Sequence, residues 1–332
     1  MTTASSHIDY FLSLDDEVDT AWGHYNEQLI RVEWINTVPF EATDDPFFED
    51  NGIGDTPEIT GGADEKGGRV IPVRVSLDTP ATFGLAPESH DHEEVHTFLV
   101  LGRLFKLHPD FDEIILGILY ADRLSCVVLI QERHELWTAR VWERLQSAAQ
   151  RREKESTAEW SHRQHHGRRP SSDIGGTMEE EESGHFVEDF NAIEVLSRVR
   201  FIHHWNYLRV LRLSYAVLDT FPYGGCLTSL ESLSFGKPVL TLPSRFIRGR
   251  FTLAMYRQMG LDDPSIGLVA VDAASMVQSA IRIGTDRNYR RNVSQWVQIA
   301  YKDRLHRNLE AGVEWGRLFR ALHVQSVLTQ PA

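Results

Sequence analysis

At 332 residues, 42% of them hydrophobic, the chain has material for two domains or one large one and for a sizeable buried core. Its formal net charge of −14 excludes a general binder of nucleic acid or of anionic membrane surfaces, because both present negative charge. Two cysteines, Cys126 and Cys226, make no disulfide framework, so a reducing, cytoplasmic setting is expected.

The residues after Met1 lack the positively flanked apolar run of a signal peptide, and Ile114 to Ala121, the longest apolar stretch, is far too short to span a bilayer. His7 to Leu14 reads as a strand. Asp15 to Leu29 reads as a helix with Val18, Ala21, Trp22, Tyr25 and Leu29 at core spacing, capped by Asp15 or Asp16. From Val38 to Glu65 the chain turns acidic and rich in Gly and Pro, as a linker or surface loop does. Val70 to Leu77 suggests a strand. His90 and His92 beside Asp91, Glu93 and Glu94 can be drawn as a metal site, but acidic loops with a few histidines are far commoner, and no metal is expected.

The main domain begins near Thr97. Strands are expected at Phe98 to Gly102, Ser125 to Ile130, Val199 to Ile202 and Leu268 to Val271. Helices are expected at Asp110 to Ala121, Trp137 to Gln150, Tyr207 to Tyr215, Arg250 to Met259 and Ala273 to Ile283, with a closing helix that stripes Leu305, Leu309, Val313, Leu318 and Leu322. The segment 147–191 breaks this rhythm. Basic Arg151, Arg152, Arg168 and Arg169 precede the acidic run Glu179 to Glu182 with little apolar material between them, so a flexible insertion is expected there. Strands alternating with helices of this length make an α/β domain with a doubly wound parallel sheet, whose ligand belongs beyond the carboxyl ends of the strands.

The stretch AVLDTFPYGGCLTSLESLSFGKPVLTLP, Ala216 to Pro243, is the centre of this plan. An apolar strand runs into Asp219, and Pro222, Gly224 and Gly225 form a tight loop. Leu227 to Ser234 is then helical, Gly236 and Lys237-Pro238 stop the helix, and Val239, Leu240 and Leu242 return as a strand. A glycine loop entering a helix offers unpaired N–H groups and the positive end of the helix dipole, a natural seat for phosphate. It matches neither GxGxxG nor GxxxxGK[ST], and an ordinary strand-to-helix turn reads the same way. Lys106 also follows a strand on this edge, so it and Gly224-Gly225 can converge.

Three segments, FKLHPDFDEIILGIL (Phe105 to Leu119), YAVLDTFPYGGCLTSLESLSFGKPVLTLPS (Tyr215 to Ser244) and RGRFTLAMYRQMG (Arg248 to Gly260), together resemble the carboxyl-terminal half of the O-GlcNAc transferase family. IDYFLS and HYNEQLIR (Ile8 to Ser13, His24 to Arg31) resemble the last strand and helix of that family's first domain. These are GT-B enzymes that move a sugar from UDP to a protein hydroxyl. The resemblance implies a first-domain remnant over 1–37, loops over 38–96 and a Rossmann-like donor-binding domain over 97–330. It places Lys106 at the donor pyrophosphate, where a fixed cation stabilises departing UDP. It places Gly224, Gly225, Cys226, Leu227 and Thr228 around the phosphates. Cys226-Leu227 replaces a His-Thr pair, with Ser229 as the candidate substitute hydroxyl. Glu231 falls at the ribose, ionised beside a helix start, Tyr207 near uracil, and Arg103 where the family has an amide.

The implied activity is metal-independent, inverting transfer of a sugar, N-acetylglucosamine by resemblance, from UDP-sugar to a Ser or Thr hydroxyl. UDP-sugar is the donor substrate and no other cofactor is implied. Most of the first domain has no counterpart in these residues and no catalytic base is nameable, so a partner chain or further sequence would supply them. A non-catalytic nucleotide-binding or interaction module on the same fold stays open, and a sugar-nucleotide epimerase lacks its paired carboxylates here.

Overall fold

The computed structural model describes residues 10–25, 28–34, 79–85, 94–100, 102–166, 191–306 and 308–329. The expected loop over 38–65, the strand at Val70 to Leu77, His90, His92 and the acidic run Glu179 to Glu182 lie outside them. The central sheet comprises β3 (His96–Val100), β4 (Ser125–Ile130), β5 (Val199–Ile202), β6 (Ala216–Leu218) and β7 (Val239–Leu240). All are parallel, in the order β5-β4-β3-β6-β7. The chain winds outward from β3 to β5, then returns to β6 on the other side of β3. This reversal defines a doubly wound sheet, and the crevice between the carboxyl ends of β3 and β6 is its topological switch point.

Sequence pattern explains the layers. β3 and β4 are buried along nearly their whole length, as strands covered on both faces are. Helix α1 (Asp110–Ala121) carries Asp110, Asp112 and Glu113 in its first turn, where the helix dipole favours them, and buries Phe111, Ile114, Ile115, Ile118 and Leu119. It packs against α2 (Glu135–His166) and α7 (Ala273–Thr285). The guanidinium of Arg144 in α2 donates to both oxygens of buried Asp112, at 2.6 and 2.9 Å, and to the Leu107 carbonyl, fixing α2 to the segment that follows β3. Helix α5 (Leu227–Ser234) packs on α6 (Phe251–Met259) and α8 (Arg287–Ala300). Two shorter helices, α3 (Ala192–Leu196) and α4 (Tyr207–Leu213), precede β5 and β6.

Four expectations are corrected. Asp15 to Leu29 is not one helix: a 3₁₀ turn (Asp19–His24) links β1 (Tyr10–Leu14) to a parallel partner, β2 (Gln28–Val32). Ala21 and Leu29 are buried as core spacing requires, but the apolar run of β2 satisfies its backbone by pairing with β1 instead of by helix. The expected insertion does not begin at Ser147. Helix α2 runs through to His166, burying Ala148 and Ala149, because its Arg, Glu, Lys and Ala residues are good helix formers whatever their charge. The strand expected at Leu268 to Val271 is a single parallel bridge, Val269 to Thr241. The closing stripe divides: Leu305 is buried in a π turn (Tyr301–Leu305), whereas Leu309 and Val313 of α9 (Leu309–Thr329) face outward. The inner face of α9 buries Ala311, and its Glu314 accepts from the N–H groups of Glu33 and Trp34 beyond β2.

Cys126 lies in β4 and is 2% exposed, and burial pushes its thiol up to about 12, whereas Cys226 is exposed. A thiol reagent near pH 8 is therefore expected to modify one cysteine per native chain and two after denaturation. Rapid modification of both in the native protein would contradict the packing of β4.

Candidate functional site

The loops after β3 and β6 meet at the switch point. A methyl group on Gly102 would come within 2.4 Å of Thr220 Cγ2, so only glycine lets the two loops approach this closely. A 3₁₀ turn (Leu104–Lys106) then brings the Lys106 ammonium to 4.1 Å from the centroid of the Tyr223 ring. Lys106 makes no hydrogen bond or ion pair among the described residues. Burial lowers its pKa, Asp219 opposes that shift, and Arg103 adds to it. The two stretches that the sequence placed 118 positions apart, Lys106 and Gly224, thus share one site.

Asp219, at the end of β6, organises the loop. Buried at 6% exposure, its carboxylate accepts from the Gly225 N–H at 2.6 Å, from Thr241 Oγ1 at 2.8 Å and from Thr252 Oγ1 at 2.7 Å. Burial raises its pKa, while these three donors and the Lys106 charge pull it back. The Gly224 N–H donates to the Arg248 carbonyl, and Ser244 Oγ to the Pro222 carbonyl. Both glycine N–H groups are therefore engaged inside the protein. What the glycines supply is space: a methyl group on Gly225 would lie 2.4 Å from Ser229 Oγ and 2.8 Å from Thr228 Oγ1. The N–H groups at Cys226, Leu227, Thr228 and Ser229, around the start of α5, find no acceptor among the described residues. Those are the donors open to an anion.

The other expected residues fall as follows. Cys226 and Leu227 are exposed on the lip of the loop, Leu227 at 73%, and Thr228 is half-buried beside Gly225. Burial raises the Cys226 thiol, and the Lys106 charge counteracts it. Ser229 does not replace a missing outward hydroxyl: it is buried, and Thr252 Oγ1 lies 2.9 Å from it under the loop. Tyr207 and Glu231, separated by 24 positions, are brought together. Burial first, then hydrogen bonding to Glu231, raises the Tyr207 phenol. Burial likewise raises the Glu231 carboxyl against the pull of Tyr207, so the helix start does not dominate its ionisation as expected. Arg103 points elsewhere, ion-paired at 2.8 Å with Glu132 after β4. On the same edge, after β5, exposed Trp205 stacks on His203 with ring centroids 5.4 Å apart.

Asp219, Thr241, Thr252, Tyr223, Ser244 and Gly249 were not picked out by sequence as site residues. The available signal was polarity out of place: an Asp closing an apolar strand, and single threonines directly after β7 and within α6.

Over 96% of its length the chain is similar to a Thermobaculum terrenum O-GlcNAc transferase mutant, with TM-score 0.57 and 18% sequence identity. The fold is therefore that of a GT-B, Rossmann-like domain. The chain spans 46% of that solved structure. Two other solved structures match 67% of the chain. One is WaaG, a glycosyltransferase involved in lipopolysaccharide biosynthesis (12% identity, 48% of that chain, TM-score 0.40). The other is UDP-GlcNAc 2-epimerase from Neisseria meningitidis bound to UDP-GlcNAc (13% identity, 45% of that chain, TM-score 0.33). No protein-family model matches the sequence, and no curated protein does. Among the described residues no group of His, Cys, Asp and Glu could hold a metal, and no helix is long and apolar enough to cross a membrane.

Proposed function

We propose that this chain is the donor-binding half of a UDP-sugar-dependent glycosyltransferase. The observation that carries the reading is the convergence of unpaired Lys106 with the open N–H groups of Cys226 to Thr228 at the switch point of the sheet. Ammonium and helix start together suit a pyrophosphate. In the reaction the anomeric carbon–oxygen bond to UDP breaks as the acceptor oxygen attacks from the opposite face, inverting the centre. The acceptor proton passes to a base outside the described residues, and negative charge builds on the β-phosphate, where Lys106 and the α5 start stabilise it. The sugar is N-acetylglucosamine and the acceptor a protein Ser or Thr hydroxyl, supported by the resemblance of the three segments and by the similarity of fold. The ribose is assigned to Glu231 and uracil to the neighbourhood of the Tyr207 ring, which adjoins that carboxylate. The cytoplasmic setting rests on cysteine usage alone.

The test is calorimetric titration with UDP alongside transfer from UDP-N-acetylglucosamine to Ser/Thr peptides, with a supplied first-domain partner where the chain alone is inactive. UDP binding with no turnover under either condition supports the alternative, a nucleotide-binding module. The exposed, apolar Leu227 at the loop lip favours that alternative in one respect, since it offers phosphate only its backbone.

Glu231→Gln is expected to reduce the discrimination between UDP and 2′-deoxy-UDP by about five- to tenfold, because one of two accepting oxygens becomes a donor. Competition between the ribose and Tyr207 for that carboxylate adds a second arm: Tyr207→Phe should leave the discrimination intact or raise it. Equal loss of affinity for the deoxy analogue in parent and Glu231→Gln proteins would move the ribose elsewhere.

A further inference from the structure

Beside the glycine loop, on the side facing β1 and β2, the turn from Ser244 to Arg250 carries a small cationic ledge. Its backbone is locked to the loop: the Arg248 carbonyl accepts the Gly224 N–H, and a methyl group on Gly249 would lie 2.5 Å from the Pro222 carbonyl oxygen. From this turn two guanidiniums, those of Arg245 and Arg248, lie 4.8 and 4.7 Å from the centroid of one ring, Phe246. The ring of His24, from the turn between β1 and β2, approaches the same Phe246 at 5.2 Å. The next arginine, Arg250, is used structurally. It donates to the Asp16 and Ser244 carbonyls, while Arg257 binds the Asp16 carboxylate, and together they hold the β1–β2 unit in place.

Arg245 and Arg248 have no such duty. The chain holds 48 acidic side chains against 34 basic ones, so a carboxylate partner is readily available to any structural arginine. Among the described residues neither guanidinium has one. Two like charges gathered at one aromatic ring repel each other, and contact with Phe246 holds their planar donor forks in place. A fork so fixed is suited to accepting a carboxylate or phosphate bidentately. The ledge is also set apart from the donor contacts, because Lys106 approaches the loop from β3, on its opposite flank.

We propose that Arg245 and Arg248 recognise negatively charged side chains of the acceptor, so that the substrate is an acidic stretch of polypeptide whose hydroxyl is delivered to the donor. This deepens the glycosyltransferase reading and rests on it. Carboxylates on alternate residues of an extended peptide stand about 7 Å apart, a spacing that two guanidiniums lying 4.8 and 4.7 Å from one ring centroid can reach.

The test uses a ten-residue peptide with one Ser flanked by four Glu and its counterpart with four Gln, titrated into the full chain by fluorescence anisotropy. UDP affinity is measured in parallel. The unaltered protein should prefer the Glu peptide by about tenfold or more at low salt, and the preference should shrink as salt rises. R245Q/R248Q should lose that preference while keeping its UDP affinity and melting temperature. Equal binding of the two peptides by the unaltered protein overturns the proposal, and that measurement needs no variant to fold. A matching fall in UDP affinity in R245Q/R248Q also overturns it, assigning the ledge to the donor phosphates. Failure of the unaltered protein to bind UDP while it still selects the Glu peptide would instead remove the glycosyltransferase reading and leave an acidic-peptide site.

Discussion

Asp219→Ala is expected to destabilise the protein by about 3–5 kcal/mol and to abolish measurable UDP binding, whereas Asp219→Asn should cost less than about 1.5 kcal/mol. The alanine variant leaves the Gly225 N–H and the Thr241 and Thr252 hydroxyls without their acceptor in the interior. It also releases Gly225, whose position sets the direction of the open N–H groups at the start of α5. Asparagine keeps an oxygen for Gly225, and both threonine hydroxyls can turn to accept from its amide. The pH dependence distinguishes the two further. Burial raises the Asp219 carboxyl, so the folded state binds this proton more tightly than the unfolded state does. Such a group stabilises most when protonated, and that contribution is lost as pH rises from the unfolded value through the raised folded one. Asparagine mimics the protonated form, so relative to the parent it should improve steadily across that window. Urea melts at several pH values provide the measurement. A loss under about 1 kcal/mol for the alanine variant would show that the loop is held by its other contacts.

How far this was legible in sequence depends on what kind of information each element needed. Helix α1 and strands β4 and β5 were readable residue by residue, because their apolar spacing and flanking punctuation agree with how they pack. The stretch 15–29 was misread because Val18, Ala21, Tyr25 and Leu29 are spaced for a helix, while the choice was made by a partner strand that only tertiary structure brings alongside. The continuation of α2 was misread for the opposite reason. Charge suggests disorder there, whereas local helix propensity, with Ala148 and Ala149 buried, decides. At the site, motif position brought out Lys106 and the glycine loop. It could not show that both glycine N–H groups are consumed internally, or that Glu231 meets Tyr207, since each depends on distances between elements.

Lys106→Ala is expected to weaken UDP binding by about 10- to 150-fold, corresponding to about 1.5–3 kcal/mol, with uridine binding changed less than twofold. The ammonium stands over the Tyr223 ring at 4.1 Å, and among the described residues it has no hydrogen bond or ion pair to give up when phosphate arrives. Its pKa is lowered by burial and by Arg103, so the free site holds a cation at some cost, and a bound diphosphate relieves it. Binding should therefore raise the lysine pKa and draw up protons. In the alkaline range UDP affinity should fall as pH rises through the unliganded protein's lowered value, a dependence that the alanine variant lacks. Lys106→Arg should recover only part of the affinity, since a planar fork cannot occupy the compact position above Tyr223 in the same way. For turnover the effect should exceed that on binding, because charge grows on the leaving phosphate in the transition state. Titration calorimetry with UDP and with uridine, in buffers of different ionisation enthalpy, reads both the affinity ratio and the proton uptake. Equal weakening of the two ligands would show that Lys106 holds the shape of the loop and not the phosphates.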